Sequence, residues 1–142
     1  RFEELNDNFE QLKRFYFILV THIRTYLRTG IYVSEDSDFT PLEAMDIRMF
    51  CGKIEDIGMI LRDIQINENL TEFFKIIREY FNEVMNAYLK RNLELAHISW
   101  LKKDNLVKKA TPLMSKLSYE EKRILDDLLR IAKLCKDMAA LI

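Results

Sequence analysis

The chain has 142 residues, of which 49% are hydrophobic and 32% charged, with only three glycines and two prolines. That is one ordinary domain in length, with too little turn chemistry for a many-stranded sheet and too many apolar residues for disorder. Twenty-two Lys and Arg against 23 Asp and Glu leave a net charge of −1, so no overall field draws the chain to nucleic acid or to an anionic membrane.

From Phe2 the apolar positions run Phe2, Leu5, Phe9, Leu12, Tyr16, Leu19, Ile23, Tyr26, alternating steps of three and four, which predicts a first helix of coiled-coil type ending at Gly30. No cap precedes it, so the chain is expected to start inside or just before a helix that belongs to something longer. Ser34 to Asp38 reads as an acidic, solvated connection. Thr40-Pro41-Leu42-Glu43 then carries a capping box with proline in the first helical position, and opens a second helix with seam Ile47, Phe50, Ile54, Ile57, Leu61, Ile64 that runs to about Gln65.

Asn69 with Glu72 predicts the cap of a third helix, whose seam is Leu70, Phe73, Ile77, Tyr80, Val84, Ala87 and whose end is Arg91. Asn92 caps a fourth, from Leu93 to about Ala110, with Leu93, Ala96 and Trp100 on one face and an interruption or kink at Thr111-Pro112. Ser118-Tyr-Glu-Glu121 is a further capping box, and the last helix places Ile124, Leu128, Ile131, Cys135, Met138 and Ile142 in one line. Five such segments predict an all-α fold, an antiparallel helical bundle. No apolar run reaches the roughly 20 residues of a membrane span, so no insertion is expected. Cys51 and Cys135 sit within apolar patterns as reduced packing residues, which fits the cytoplasm.

The second helix, Asp46-Ile-Arg-Met-Phe-Cys-Gly-Lys-Ile-Glu-Asp-Ile-Gly-Met-Ile-Leu-Arg-Asp-Ile, resembles the signature helix of PhoU-type proteins at Ile54, Glu55, Ile57, Gly58 and Ile64. Asn86 to Ala96 resembles that family's Ala-Leu-x-x-x-Asp-x-Glu-Leu-Ala junction, with Asn92 in place of Asp. Ile131 to Ile142 resembles a decayed second copy of the signature, matching at Asp137, Ala139 and Ile142. The resemblance implies two three-helix repeats within one PhoU-like domain over 1–142: a first repeat, 1–66, lacking its opening helix, and a second, 67–142. It further implies a regulator of phosphate uptake or phosphate-responsive signalling and transcription, docking onto a phosphate transporter ATPase or a sensor kinase. Archaeal members are often fused behind a small β-rich DNA-binding domain of AbrB type, so DNA contact would come only through such a domain ahead of Arg1. A helical dimerisation or ligand-sensing domain of a transcriptional regulator unrelated to phosphate is the alternative reading.

Members of that family hold iron or zinc clusters with a Glu-x-x-x-Asp pair in each signature helix, two hard oxygen ligands one turn apart. Here Glu55 is followed by Met59, and Asp137 is preceded by Lys133; Lys13 stands where an Asp would be expected in the preceding helix. Glu55 and Asp137 are the candidate metal residues, each missing its mate, and no cofactor is expected. His22 and His97 form no relay with a carboxylate or cysteine at useful spacing, so no enzymatic activity is expected. Gly58, in mid-helix, predicts close helix approach. Lys102, Lys103, Lys108 and Lys109 are the candidate anion-facing patch, interrupted by Asp104. Surplus aromatics such as Phe15, Phe17, Phe74 and Phe81 give the first and third helices more than one apolar stripe, packed either inside a larger core of this bundle or against a second subunit, and with the exposed faces of the first two helices a homodimer is the favoured expectation.

Overall fold

The computed structural model describes residues 2–30 and 39–142, so the acidic connection from Ser34 to Asp38 lies outside the described residues. The fold is all-α. Five helices follow in order, α1 (Phe2–Thr29), α2 (Pro41–Asp63), α3 (Thr71–Leu89), α4 (Leu93–Met114) and α5 (Tyr119–Ala139), and the described residues contain no strand. None of these helices is long and apolar enough to cross a membrane. The chain divides into two compact units, Arg1–Arg62 and Asp63–Ile142.

In the first unit α1 and α2 form an antiparallel pair. Phe9 and Leu12 lie against Gly58, the Tyr16 hydroxyl lies against Gly52, and the Tyr26 ring meets the Phe39 ring at 5.2 Å between centroids. The Tyr26 hydroxyl also donates to the Phe39 carbonyl at 2.7 Å. Gly30 closes α1 in the left-handed region, φ 64°, donating its N–H to the Tyr26 carbonyl, a conformation that a residue with a Cβ adopts only at a cost. The Thr40–Glu43 capping box forms: Thr40 Oγ1 accepts from the Glu43 N–H at 3.2 Å and Glu43 Oε2 accepts from the Thr40 N–H at 3.4 Å. Phe9, Ile23, Phe50 and Ile57 of the expected seams are buried, whereas Leu5 is exposed and Ile47, Ile54 and Leu61 are half-buried.

In the second unit α3, α4 and α5 pack pairwise as a three-helix bundle. All six seam residues of α3, from Leu70 to Ala87, are buried, and α5 buries Leu125, Leu128, Ile131, Cys135 and Met138. The face of α4 differs from the expected one. Leu93 and Trp100 are exposed, and the buried row is Ala96, Ser99, Leu106 and Ala110, shifted by one residue toward the small side chains. Small residues let the backbone of α4 approach, so the Tyr80 hydroxyl of α3 donates to the Ser99 carbonyl at 2.7 Å inside the core. No buried side-chain polar atom among the described residues lacks a partner.

Two helix boundaries depart from expectation. Pro112 lies inside α4, which continues to Met114: so near the C-terminus proline forfeits one backbone bond, to the Lys108 carbonyl, while Thr111 Oγ1 donates to the Val107 carbonyl. At the start of α3, Asn69 is not the cap. The N-cap residue is Leu70, with no side-chain bond to the helix. The Asn69 side-chain amide donates instead to Glu121 Oε2 at 2.8 Å, joined there by the Asn67 amide at 3.0 Å. Glu121 meanwhile completes the capping box of α5, its Oε1 accepting from the Ser118 N–H while Ser118 Oγ accepts from the Glu121 N–H. One carboxylate thus fastens the beginnings of α3 and α5 together.

Those donors favour the ionised form, with Asn69 contributing most, and hold the Glu121 carboxyl down to about 2 from its ordinary 4.5. A depressed acid stabilises the fold fully above its unfolded value and ceases to do so as pH falls through its folded value. Glu121→Gln should therefore melt below the native chain at pH 7, and the gap should close between about 4.5 and about 2. Thermal scans of both proteins across that interval check this; a gap independent of pH would show that the carboxylate charge is not what ties the two helix starts.

Candidate functional site

The α2 helix carries two apolar rows. Its seam residues Phe50 and Ile57 are buried, while Leu42, Met45, Met49 and Met59 line a second row with Gly52 and Asp56, at steps of three and four. The four large side chains of this row face solvent, Leu42 69% exposed, Met45 52%, Met49 49% and Met59 42%, whereas Gly52 among them is half-buried against the Tyr16 hydroxyl of α1. The centre of the row is a shallow cavity of about 300 Å³ shared by Tyr16, Arg48, Met49, Gly52, Lys53 and Asp56. Thioethers there are flexible and polarisable enough to fit an irregular partner surface.

Two glycines set the distance between α1 and α2. A Cβ on Gly58 would fall 2.8 Å from Leu12 Cδ2 and 3.3 Å from Phe9 Cδ2; one on Gly52 would fall 3.1 Å from the Tyr16 hydroxyl oxygen. The Phe9 ring is buried, with the Arg62 guanidinium 4.7 Å from its centroid and the Lys13 ammonium 5.6 Å away.

Glu55 is half-buried at the edge of that cavity. Burial raises its carboxyl above the ordinary value and the neighbouring Asp56 raises it further, while Lys13 of α1 pulls the other way. Asp137, in the second unit, is ion-paired one turn away with Lys133 at 2.6 Å, a partly exposed contact of small worth. Lys13 itself reaches Glu10 at 3.8 Å. No three His, Cys, Asp or Glu side chains among the described residues converge as metal ligands. A lone carboxylate one turn from a thioether, and another held by an ammonium, do not fit the paired hard ligands that the resemblance implies.

The four lysines of α4 do not share a face. At about 100° per residue Lys102 and Lys109 align, with Lys103 and Lys108 on opposite flanks. Lys102 is held by both carboxylate oxygens of Glu83, at 2.7 and 2.9 Å, in a cavity of about 400 Å³ that also holds Glu79, Asn105 and Lys109. Acid and base alternate there, which disfavours a simple anion. Lys108 is exposed and Lys103 half-buried.

Both histidines are exposed and both cysteines are free. Burial alone pushes the Cys51 thiol up, and that of fully buried Cys135 up to about 12, so neither is poised as a thiolate nucleophile. Burial, with lesser contributions from neighbouring anionic groups, also drives the Tyr80 phenol well above its ordinary value, keeping it a hydrogen-bond donor.

No protein family, no curated protein and no solved structure matches the chain.

Gly58 offers a direct check on the α1/α2 contact. A mid-helix glycine costs about 1 kcal/mol relative to alanine, and Leu12 is half-buried at the tip of a movable side chain. Gly58→Ala should therefore remain within about 1 kcal/mol of the native chain, whereas the bulk of Gly58→Val should cost about 1–3 kcal/mol against Phe9. Urea unfolding followed by circular dichroism compares the two; equal tolerance of alanine and valine would remove the close approach.

Proposed function

We propose that the chain is a non-enzymatic regulatory protein that acts by helix-face contact with other proteins, in the control of phosphate uptake or phosphate-responsive signalling and transcription. The observation that carries the contact reading is the outer row of α2, four large apolar side chains between 42% and 69% exposed along one helix face. A row of that length left to water is what an interaction surface requires and what a self-contained domain avoids.

The phosphate assignment rests on the resemblance of the same helix, at Ile54, Glu55, Ile57, Gly58 and Ile64, to the PhoU signature. On this reading the partner is a phosphate transporter ATPase or a sensor kinase, the chain works in the cytoplasm, and no metal takes part in its action. Regulation then consists of occupying or releasing a partner's surface.

The test is genetic. In the cell that carries the protein, deleting its gene should raise phosphate uptake in phosphate-rich medium toward the starved rate, as measured with radiolabelled phosphate. Reintroducing the native chain should restore repression, and reintroducing Met49→Glu should not. Uptake unchanged by the deletion in both rich and starved medium would overturn the phosphate assignment.

A further inference from the structure

We infer that the outer face of α1 rests on an anionic lipid surface, with Phe15, Phe17 and Ile18 at the edge of the acyl layer and Arg14, Arg24 and Arg28 among the headgroup phosphates. This face is separate from the outer row of α2, and it holds the chain on a membrane that none of its described helices is apolar enough to cross.

Charge is distributed unevenly along α1. No Asp or Glu follows Glu10 in the helix, while Lys13, Arg14, Arg24 and Arg28 all do, so a chain of net charge −1 carries a local excess of cations here. Arg14, Arg24 and Arg28 are exposed and pair with no carboxylate among the described residues. Large apolar side chains stand between them in water: Phe15 is 69% exposed, Phe17 71% and Ile18 52%.

The buried side of α1 carries Phe9 and Ile23. At about 100° per residue, the opposite arc of about 160° runs from Phe17 to Phe15, with Ile18 and three threonines between them. Those threonines make the arc less polar than its sequence suggests. Thr21 donates its hydroxyl to the Phe17 carbonyl at 2.9 Å, Thr25 to the Thr21 carbonyl at 3.0 Å and Thr29 to the Thr25 carbonyl at 2.8 Å. A hydroxyl already paired within its own helix costs little to remove from water, and the methyl group remains to be covered. His22, Arg14 and Arg28 are the other polar groups of the arc, and Arg24 borders it beside Phe17. The arginine stems are long enough to lie along the apolar surface while the guanidinium groups stay among phosphates.

Aromatic and aliphatic side chains with cations at their border suit the boundary between headgroups and acyl chains, where each finds its own environment. Nucleic acid would neutralise the arginines but offers no acyl layer to Ile18 and the threonine methyls. Pairing of the stretch from Gln11 to Thr29 with itself would set cations only against cations.

Flotation of the 142-residue chain with vesicles of phosphatidylcholine, and of an equimolar mixture with phosphatidylglycerol, tests the inference. The native chain should float with the anionic vesicles, bind the neutral ones about tenfold or more less tightly, and detach as salt rises. Phe15→Ser with Phe17→Ser should weaken anionic binding about tenfold or more. Arg24→Glu with Arg28→Glu should abolish the preference for anionic lipid. All four positions are exposed, and circular dichroism verifies that each variant keeps its helices. Absence of flotation with anionic vesicles at low salt overturns the inference. So does binding that the arginine reversals abolish and the serine substitutions leave intact, which assigns the face to a polyanion such as nucleic acid. A dimer in sedimentation equilibrium that the serine substitutions dissolve, without vesicle binding, overturns it in favour of a second copy. None of these outcomes bears on the α2 row, which is tested by the cellular effect of Met49→Glu.

Discussion

The second unit depends on the thinness of one helix. The inner face of α4 is built from Ala96, Ser99 and Ala110 with Leu106 as its one large side chain, while α3 and α5 bring Phe73, Ile77, Tyr80, Leu125, Leu128 and Met138. Large rows on two helices can close without voids only if the third yields volume, because interiors are packed at crystal-like density. The same close approach brings the Ser99 carbonyl within reach of Tyr80, so the one phenol in the core finds an acceptor where a bulkier α4 would have held it away. Trp100, next in sequence to Ser99, is turned outward for the same reason and lies under the Lys136 ammonium, 4.2 Å from its ring.

Much of this was legible in the amino-acid order, because caps and apolar periodicity are local properties. The Ser118 and Thr40 capping boxes, the end of α1 at Gly30 and the complete buried line of α3 all follow from spacing alone. Asn69 shows where local reasoning stops. Its side chain has a choice between accepting from the free N–H groups of the helix it precedes and donating to a carboxylate more than fifty residues away, and the ionised Glu121, already oriented by Ser118, takes the donation. The inner face of α4 was illegible for a related reason. Hydrophobicity ranks Leu93 and Trp100 above Ala96 and Ser99, but burial in that helix is decided by volume.

The α2 site was half legible. Its helix, its cap and the special position of Gly58 are local signals, and the 3-4-3-4-3 spacing of Leu42, Met45, Met49, Gly52, Asp56 and Met59 stands in the sequence as plainly as the seam does. Periodicity cannot rank two apolar rows on one helix, since each satisfies the same test; only the neighbours of the helix decide which row is covered. The α4 lysines fail in the opposite way. They are close in sequence and therefore look like a patch, yet helical rotation spreads them and Glu83, nineteen residues earlier, takes Lys102.

Methionine rather than leucine or isoleucine along the outer row bears on how such a face can exist in two states. A continuous row of branched aliphatic side chains would be costly in water and prone to indiscriminate association. Three unbranched thioethers, with Arg48, Lys53 and Asp56 among them, leave flexible apolar surface on the face while the interleaved charges keep it hydrated. Charged groups placed within the row also penalise any partner that cannot match them, so their arrangement restricts what can bind more than it adds affinity. On the proposed contact reading, a face that is apolar yet interleaved with charge suits contacts that form and dissolve, and reversible occupancy is the property that regulation by surface contact requires.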